Sequence, residues 1–528
     1  MTEDAIFASA AVAAPHSLAA EAGRDVLVQG GNAIEAMVAM AATIAVVYPH
    51  MNSIGGDGFW LIREPKGKVR AIEACGFAGE GATIEAYEKL GDSLPNRGPK
   101  AALTVPGAVG GWAIALQLAE ALGGRLPLDV LFEAAARHAR QGVPVSASEA
   151  RYKAKNFADL IAAPGFKETY YIDGEPPKPG ALRKQTRLGD TLGHLAEAGL
   201  DDFYRGDIGR EIAADLARIG SPVTRADLAG YRARWREPLS LRLNNATLYN
   251  TPAPTQGLAS LILLGLYERL GVTSTEGFAH AHSLIESAKR ALAIRDRVVT
   301  DFDLTYEDVG ALLSPAFLDV EAARIDKKRA APWPLPAEKG DTIWMGAIDG
   351  GGLAVSFIQS VYWEYGSGCV LPATGVTMQN RGISFSLDRK SIRALKPGRR
   401  PFHTLNPPLA VFHDGRVVSY GSMGGDGQPQ FQAQVVSRIL AGAGAHEAVA
   451  APRHLWGRLW GDASASVKVE ASYDEGVSEM LARAGHEVER RKPDEQDMFG
   501  HAGALIRSPK GEIRAAHDPR ADGGAEGV

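Results

Sequence analysis

A threonine at the head of a predicted strand is the residue of this chain best placed to act as a nucleophile. Thr342 opens an apolar run, 342–349, and three glycines, 350–352, join it to a second apolar run, 353–360. Two β-rich runs joined by a short glycine loop predict a buried β-hairpin. If the glycines close this hairpin, Thr342 lies opposite Ser360. A hydroxyl in that position is a candidate nucleophile once a base lies within hydrogen-bond reach.

The segment before Thr342 indicates where such a base could come from. Residues 331–336 contain three prolines, which exclude this segment from the interior of a sheet. An exposed linker that enters a buried strand at a hydroxyl residue is a place where cleavage between Asp341 and Thr342 would leave the threonine N-terminal. Its own α-amine, with a reference pKa of about 7.7–8.0, could then accept the hydroxyl proton. Taken alone, the same pattern is also that of an ordinary threonine at the start of a strand.

The elements around this hairpin are predicted from apolar runs and glycine breaks. The first third of the chain favours a helix over 16–29, a buried helix over 36–48 and a strand pair from 53–62 and 68–74. Further on, strands are predicted to dominate 342–386 and 409–420, and helices to cover 113–122, 277–299, 429–442 and 476–484. The last eight residues, 521–528, are small and polar and are expected to fray. Helices mixed with two antiparallel strand blocks predict an α+β fold in which helices cover sheets.

Composition and charge are those of an ordinary globular chain and exclude several functions. The 528 residues are 45% hydrophobic and 23% charged, with a net charge of −5, and no basic stripe would neutralise nucleic-acid phosphates. The two cysteines, Cys75 and Cys369, cannot form a disulfide framework, and no Cys/His spacing suggests zinc. The apolar run 36–48 is shorter than the ~20 residues of a membrane span, and residues 1–4 lack the pattern of a signal peptide. We therefore expect a cytoplasmic protein without nucleic-acid or membrane partners.

Short motifs in a fixed order connect Thr342 to a known family. The sequence resembles the γ-glutamyltransferase family of N-terminal-nucleophile hydrolases over nearly its whole length. Besides Thr342 and its hairpin, the stretches that carry the resemblance are 30–33, 54–59, 105–107, 250–252, 365–368, 406–408, 421–425 and 518–520. Each stretch is weak evidence alone, whereas their order and spacing together are specific.

The resemblance implies a fold, a processing step and part of a catalytic apparatus. It implies an αββα sandwich made as a precursor, which cuts itself into a large subunit, residues 1–341, and a small one, 342–528, that stay associated. Ser360 falls where the family has a supporting threonine. Gly424 and Gly425 match glycines whose backbone N–H groups stabilise an oxyanion, although taken alone they favour a plain glycine turn before a helix. No cofactor or metal is implied, and a homodimer of these heterodimers is the further assembly we expect.

The residues expected to bind a γ-glutamyl group depart from the family pattern. Cys75 stands where the family has an arginine for the substrate α-carboxylate. Arg381 replaces an amide or acid that would hold the α-ammonium, and Ser384 replaces the key aspartate of the same site. Three further recognition positions of the family also carry different residues here: Tyr362, His403 and Thr404.

These departures favour a substrate with an anionic group beside the scissile amide. Arginine binds carboxylates bidentately, whereas a γ-glutamyl site must neutralise an ammonium. The bulky side chains of Trp344, Tyr362 and Trp363 are expected to make the pocket small. The pattern resembles the oxamate amidohydrolase branch of the family, which hydrolyses a tiny amide whose carboxylate adjoins the scissile carbonyl. We therefore expect Arg381 to bind a substrate carboxylate and water to complete the turnover.

Several alternatives remain open at this point. Arg381 could instead form a structural salt bridge with Glu364 or Asp426. His280 and His282 form an HxH pair without an evident third metal ligand, so ordinary helix histidines are favoured. A true γ-glutamyl hydrolase or transpeptidase is the alternative enzyme, and an uncleaved binding protein of the same fold is the alternative of a different class.

Overall fold

Strands from both halves of the chain come together in a computed structural model, which describes residues 3–305, 308–332, 341–457 and 466–528. The strands are β1 (Ala5–Phe7), β2 (Ala11–Ala14), β3 (Asp57–Arg63), β4 (Val69–Ala74), β5 (Val143–Pro144), β6 (Leu182–Arg183), β7 (Arg234–Arg236), β8 (Leu239–Arg242), β9 (Ala246–Asn250), β10 (Asp341–Ile348), β11 (Ala354–Tyr362), β12 (Leu409–Phe412), β13 (Val417–Ser422), β14 (His454–Trp456), β15 (Val467–Val469), β16 (Val488–Arg490), β17 (Ala502–Arg507), β18 (Ile513–His517) and β19 (Gly524–Gly527).

Helices occupy much of the remaining chain. They are α1 (Ser17–Val28), α2 (Ala33–Val47), α3 (Ile84–Glu88), α4 (Ala108–Ala121), α5 (Leu128–Gln141), α6 (Ala147–Ile161), α7 (Phe166–Tyr170), α8 (Thr186–Ala198), α9 (Asp202–Arg205), α10 (Asp207–Ile219), α11 (Arg225–Gly230), α12 (Gly257–Arg269), α13 (Gly277–Val298), α14 (Pro315–Ala323), α15 (Gln428–Leu440), α16 (Ala445–Ala450) and α17 (Glu475–Arg483). The helices predicted over 16–29, 36–48, 113–122, 277–299, 429–442 and 476–484 are confirmed as α1, α2, α4, α13, α15 and α17.

Two seven-stranded antiparallel sheets form the centre of the fold. One has the order β1-β18-β17-β13-β12-β9-β8, and the other has the order β19-β2-β10-β11-β3-β4-β7. The sheets meet face to face, where Ser419 Oγ donates to the Val355 carbonyl at 2.8 Å and Ser356 Oγ donates to the Tyr420 carbonyl at 3.3 Å. Helix α2 covers the outer face of the second sheet, and α12, α13 and α15 cover the first. The predicted αββα sandwich is confirmed.

Helix α2 is buried along its whole length beneath the strands that carry the candidate nucleophile. It begins with a capping box, in which the Asn32 side chain accepts from the Glu35 backbone N–H and the Glu35 carboxylate accepts from that of Asn32. Apart from Glu35 and Thr43 its side chains are apolar on all sides, as expected for a helix inside a large core rather than on a surface. No helix in the described part of the chain combines the length and hydropathy needed to cross a membrane.

The predicted hairpin around Thr342 is confirmed as β10 and β11. Its turn is closed by the Gly352 backbone N–H, which donates to the Asp349 carbonyl at 2.9 Å; Gly352 has a φ of +83°, which favours glycine. Ile343 and Met345 pack beneath α2, whereas Trp344 points between the two sheets. The register of the pair shifts between Asp341 and Ile343, and the Thr342 hydroxyl there lies beside that of Ser360.

Two predictions about chain segments are wrong. Residues 363–386 form turns, isolated bridges and a short 3-10 turn instead of strands, because Tyr362 and Tyr365 have φ values of +83° and +59° that end the extended backbone. The tail 521–528 does not fray, since β19 pairs with β2. The strand at the end of the chain is stabilised by backbone hydrogen bonds, which the side-chain pattern of a small, polar tail does not reveal.

Candidate active site

Thr342 and Ser360 meet at the open end of the β10–β11 hairpin. Thr342 Oγ1 donates to Ser360 Oγ at 3.4 Å, and both side chains are buried. Ser360 Oγ also accepts from the Tyr362 backbone N–H at 2.8 Å. The left-handed backbone at Tyr362 is costly for a bulky residue, and such conformations cluster at functional sites. The hairpin thus places a fixed hydroxyl beside the Thr342 side chain.

Gly424 and Gly425 lie at the same end of the sandwich. Strand β13 runs alongside β11: Ser419 contacts Val355, and Tyr420 contacts Ser356, so the chain beyond β13 continues toward Ser360. Gly424 and Gly425 have φ values of +123° and +50°, and a side chain at Gly424 would also collide with Phe431. These positions therefore favour glycine, so that no Cβ lies beside either backbone N–H group.

Two residues that sequence reasoning missed hold this glycine loop. Gln256 Nε2 donates to the Gly425 carbonyl at 2.8 Å and to the Thr404 carbonyl at 2.7 Å. Arg295 donates to Gln256 Oε1 at 2.7 Å and forms an ion pair with Asp426. Because all of these side chains are buried, they fix the glycine loop relative to the loop that contains Thr404.

Arg381 is brought together with three of the residues predicted to surround it. Its guanidinium carbon lies 3.5 Å from the centre of the Tyr362 ring, and its nitrogens donate to Ser384 Oγ at 2.5 Å and to Thr404 Oγ1 at 3.2 Å. The guanidinium therefore lies directly beyond the strand that carries Ser360. The two carboxylates considered as its salt-bridge partners have other arginines beside them: Glu364 pairs with Arg97 at 3.7 Å, and Asp426 pairs with Arg295.

His403 lies next to the buried carboxylate of Asp57, a residue not predicted to belong to the site. His403 Nε2 is 3.3 Å from Asp57 Oδ2, and neither residue is exposed to solvent. Asp57 Oδ1 accepts three hydrogen bonds of 3.0 Å, from the backbone N–H groups of Gly76 and Gly107 and from Gln379 Nε2.

The ionisation of this pair is strongly perturbed. Burial raises the pKa of Asp57 to about 7, although its hydrogen bonds and the charge of Arg381 act in the opposite direction. Burial and the charges of Arg381 and Arg400 hold the pKa of His403 well below its usual range. His403 is therefore a neutral ring at neutral pH.

Trp344 and Trp363, both expected to narrow the pocket, lie in two different parts of the structure. Trp344 fills the space between the sheets: a Cβ at Gly421 would lie 2.1 Å from Trp344 Cδ1, and a Cβ at Gly503 would lie 2.3 Å from Trp344 Cζ3. Trp344 is thus a spacer in the core, and the expectation that it lines the pocket is wrong. The Trp363 ring, in contrast, lies next to Tyr362, with 6.3 Å between the two ring centres.

Cys75, which stands where the family has an arginine, is buried. Burial raises the pKa of its thiol well above the usual value.

The HxH pair divides between two separate contacts. His280 Nδ1 shares a hydrogen bond with the Tyr267 hydroxyl at 2.8 Å, whereas His282 Nδ1 shares one with His486 Nε2 at 2.9 Å. His282, Glu286 and His486 are close enough together to hold a metal ion. The Lys289 ammonium, however, lies 2.7 Å from Glu286 and already neutralises that carboxylate.

A cleft of about 700 Å³ lies away from these residues, between α4 and the segment that follows α11. Its walls include Ile114, Leu126, Leu200 and Arg232. None of the predicted site residues lines it, so this cleft is separate from the candidate site.

Comparison with known proteins identifies the family of this chain. The family model of gamma-glutamyltranspeptidase matches residues 19–528. The chain belongs to this family. The family resemblance inferred from the sequence is therefore confirmed over nearly the whole chain.

Relatives within the gamma-glutamyltranspeptidase family include enzymes with different substrates in their names. The oxamate amidohydrolase proenzyme of Klebsiella pneumoniae is 49% identical over 97% of both chains. The glutathione hydrolase-like YwrD proenzyme of Bacillus subtilis is 36% identical over the full length of both. Among solved structures, the cephalosporin acylase from Bacillus halodurans superposes with a TM-score of 0.91 at 32% identity, covering 100% of this chain and 97% of the acylase. The relative from Klebsiella pneumoniae supports the resemblance to the oxamate branch. The chain is thus a homologue of amidohydrolases within this family.

Proposed function

We propose that this protein is a self-processing amidohydrolase that hydrolyses a small amide with a carboxylate beside the scissile carbonyl, as oxamate has. The observation that carries the proposal is the position of Arg381, stacked on Tyr362 and bonded to Ser384 and Thr404, directly beyond the strand of Ser360. A guanidinium there suits an anionic substrate and repels the ammonium of a γ-glutamyl group. The name of the 49% identical relative supports the same substrate.

The first step is the cleavage of the chain before Thr342. Thr342 Oγ1 attacks the carbonyl carbon of Asp341, the C–N bond breaks, and the nitrogen becomes the free α-amine of Thr342. Water then hydrolyses the resulting ester between Asp341 and Thr342, which gives the parts 1–341 and 342–528. Ser360 Oγ, oriented by the Tyr362 N–H, holds the attacking hydroxyl in place. The proenzyme names of relatives support this processing step, and we propose that the parts stay associated.

Turnover uses the same hydroxyl with the new α-amine as its base. The amine takes the proton from Thr342 Oγ1, and Oγ1 attacks the amide carbonyl of the substrate. The N–H groups of Gly424 and Gly425 stabilise the oxyanion, a contribution of roughly 3–4 kcal/mol per donor. The C–N bond breaks, ammonia leaves with the proton from the ammonium, and water hydrolyses the acyl-threonine ester to the free acid.

Intact mass spectrometry combined with an ammonia assay tests this function. The wild-type protein should yield two masses that correspond to 1–341 and 342–528 and should release ammonia from oxamate. Thr342→Ala should remain one chain and release no ammonia. A matched control is Thr374→Ala, which removes a buried threonine hydroxyl of the same part of the chain outside the site.

The outcomes separate the proposal from its alternatives. Hydrolysis of glutathione or γ-glutamyl-p-nitroanilide without hydrolysis of oxamate would establish the γ-glutamyl enzyme instead. A wild-type chain that stays intact on prolonged incubation and releases no ammonia would favour an uncleaved binding protein. Native mass spectrometry of the same sample reports whether two copies of the processed protein form a dimer.

A further inference from the structure

The carboxylate of Asp57 lies in a place where an ionised group is costly. It is fully buried on β3, and its Oδ1 atom already accepts three hydrogen bonds, one of them from Gly107 at the start of α4. Its other oxygen, Oδ2, makes no hydrogen bond within the described residues and faces His403 Nε2. The two ring nitrogens of His403 likewise make no hydrogen bond there. Unsatisfied buried polar groups of this kind are rare and call for a physical explanation.

Charge balance around the pair supplies that explanation. Asp57 interacts electrostatically with Arg381, so an anion already lies within range of the cation that would bind a substrate carboxylate. In the processed protein the α-amine of Thr342 is a further titratable group of this site. Arg400, which also acts on His403, lies 2.8 Å from Glu73 and is neutralised by it. Three further titratable groups face Asp57, and burial raises the pKa of each well above its usual value, so that all three are neutral near pH 8: Cys75, Tyr204 and Tyr231.

A substrate carboxylate beside Arg381 would upset this balance. Asp57 and the substrate carboxylate would then both interact with the charge of Arg381, and an uncompensated charge in a buried site is strongly unfavourable. Asp57 and His403 lie within ion-pair distance of each other, so a proton taken up by either one would remove the added negative charge. Thr404 links the two parts of the site, because it accepts from Arg381 and follows His403 in the chain.

We propose that Asp57 and His403 together take up one proton when a substrate carboxylate binds beside Arg381. This inference rests on the proposed function for the placement of that carboxylate. The pair thereby acts as a positioning device for anionic ligands: it matches the charge of the site to one carboxylate and makes the affinity depend on pH. Because the pKa of Asp57 without ligand is about 7, the coupling is strongest above pH 7, where the pair must gain the proton, and weak near pH 6, where it already holds one.

Isothermal titration calorimetry of oxalate binding to the processed protein tests this inference. Oxalate is the product of the proposed reaction and cannot be hydrolysed further. Titrations at pH 8 in buffers with different heats of ionisation give the number of protons bound with the ligand. We expect uptake of about one proton per oxalate at pH 8, little uptake at pH 6, and an affinity that weakens up to about tenfold per pH unit above pH 7.

Two matched variants locate the proton. Asp57→Asn keeps an acceptor for the three N–H donors but cannot titrate, so oxalate should bind without proton uptake and with an affinity that no longer changes with pH. Asp349→Asn is the control, since Asp349 is another partly buried carboxylate with a raised pKa, at the far end of the same sheet; its proton uptake should equal that of the wild type.

The result that overturns the inference is oxalate binding at pH 8 without proton uptake by the wild-type protein, or with equal uptake by Asp57→Asn. Absence of oxalate binding overturns it as well, because the anion site is then missing. Absence of proton uptake by the wild-type protein overturns the inference by itself, even if Asp57→Asn does not fold. Hydrolysis of oxamate in the same preparation, measured separately, shows whether the proposed function survives either result.

Discussion

The guanidinium of Arg381 combines two kinds of contact that fix its plane. The Tyr362 ring lies against one face, and the hydroxyls of Ser384 and Thr404 accept hydrogen bonds at its edge. Unlike carboxylates, these hydroxyls carry no charge and so do not neutralise the guanidinium themselves. A charged, oriented guanidinium is what a small carboxylate needs, so the specificity of the proposed reaction depends mainly on this side chain.

Replacement of Arg381 tests this dependence directly. Arg381→Gln should raise KM for oxamate about 10- to 100-fold, since a hydrogen bond to a charged group contributes about 1.5–3 kcal/mol. Self-cleavage should continue, because it does not require a substrate carboxylate. Steady-state kinetics with an ammonia assay measure the effect. The exposed Arg389, paired with Glu85 and Glu88, provides the control: Arg389→Gln should change KM less than twofold.

At the level of single residues, the candidate nucleophile could be predicted from the sequence, but the buried residues that support the site could not. Thr342 and Ser360 could be predicted because the hairpin register follows from two apolar runs and a glycine turn. Asp57 carried a usable signal, since it is an acidic residue within an apolar strand, yet only the folded chain shows which histidine faces it. Gln256 and Arg295 carried none, because their role depends on loops that are remote in sequence and meet only in three dimensions.

At the scale of elements, Trp344 sets the distance between the two sheets at the level of the site. Its indole lies against the backbone of Gly421 and Gly503, and its Nε1 donates to Ser356 Oγ at 2.9 Å. Thr342 lies two residues earlier on the same strand, where the register shifts and its hydroxyl meets that of Ser360. The fit of one indole against two glycines therefore contributes to the position of the candidate nucleophile.

A methyl group at Gly421 should disturb this fit. Its Cβ would lie 2.1 Å from Trp344 Cδ1, so Gly421→Ala should lower stability by about 1–3 kcal/mol and slow self-cleavage by displacing β10. Chemical denaturation and a gel time course measure the two effects. Gly350→Ala, in the exposed turn of the same hairpin with no atom nearer than 3.8 Å, should behave as wild type. Normal cleavage by Gly421→Ala would show that Trp344 does not position Thr342.

The C-terminal strand β19 is a second element that affects the site through its neighbours. It pairs with β2, which in turn pairs with β10, and the Val528 backbone N–H donates to the Ala10 carbonyl at 2.9 Å. The expectation of a frayed tail is wrong because the residues of β19 have no apolar pattern that predicts a strand. This strand forms by backbone pairing with β2, whereas the central hairpin is predicted by its own apolar pattern.

Removal of this strand should destabilise the whole protein. A chain that stops after Gly523 should lose about 1 kcal/mol for each backbone hydrogen bond removed, seen as a lower melting temperature in differential scanning calorimetry. Glu526→Gln is the control: it removes only the partly exposed ion pair with Arg24 at 3.2 Å and should cost less than about 0.5 kcal/mol. An unchanged melting temperature for the truncated chain would mean that β19 contributes nothing.

At the scale of the whole molecule, buried histidines make the fold sensitive to acid. Burial lowers the pKa of seven histidines of the described chain below the unfolded value of 6.5. The pKa falls to about 4 for His16, to about 3 for His280, His486 and His517, well below 6.5 for His403 and His454, and below 6.5 for His138. A group with a depressed histidine pKa stays neutral in the folded state while the unfolded chain binds its proton. Stability is therefore present above about pH 6.5 and is lost as the pH falls below it.

Unfolding by guanidinium chloride between pH 7.5 and 5 should show this loss. Each such histidine lowers the free energy of unfolding by up to about 1.4 kcal/mol per pH unit below 6.5. Asp57, with its raised pKa, acts in the opposite direction and offsets part of the effect. His280→Gln should reduce the slope by nearly one proton, whereas His413→Gln, on the surface, should leave it unchanged. A stability that does not change down to pH 5 would contradict the prediction.

The proposed cut before Thr342 falls in a molecule whose sheets are shared. Five strand pairs of the described chain join residues before Thr342 to residues after it: β1 with β18, β2 with β10, β2 with β19, β3 with β11, and β9 with β12. Strand β2 even lies between two strands of the later part. The two products would share their sheets and core, so they could not separate without unfolding. Their lifetime as a pair would equal the unfolding time of the protein, and labelled fragments mixed with processed enzyme would exchange only as fast as the whole sandwich opens.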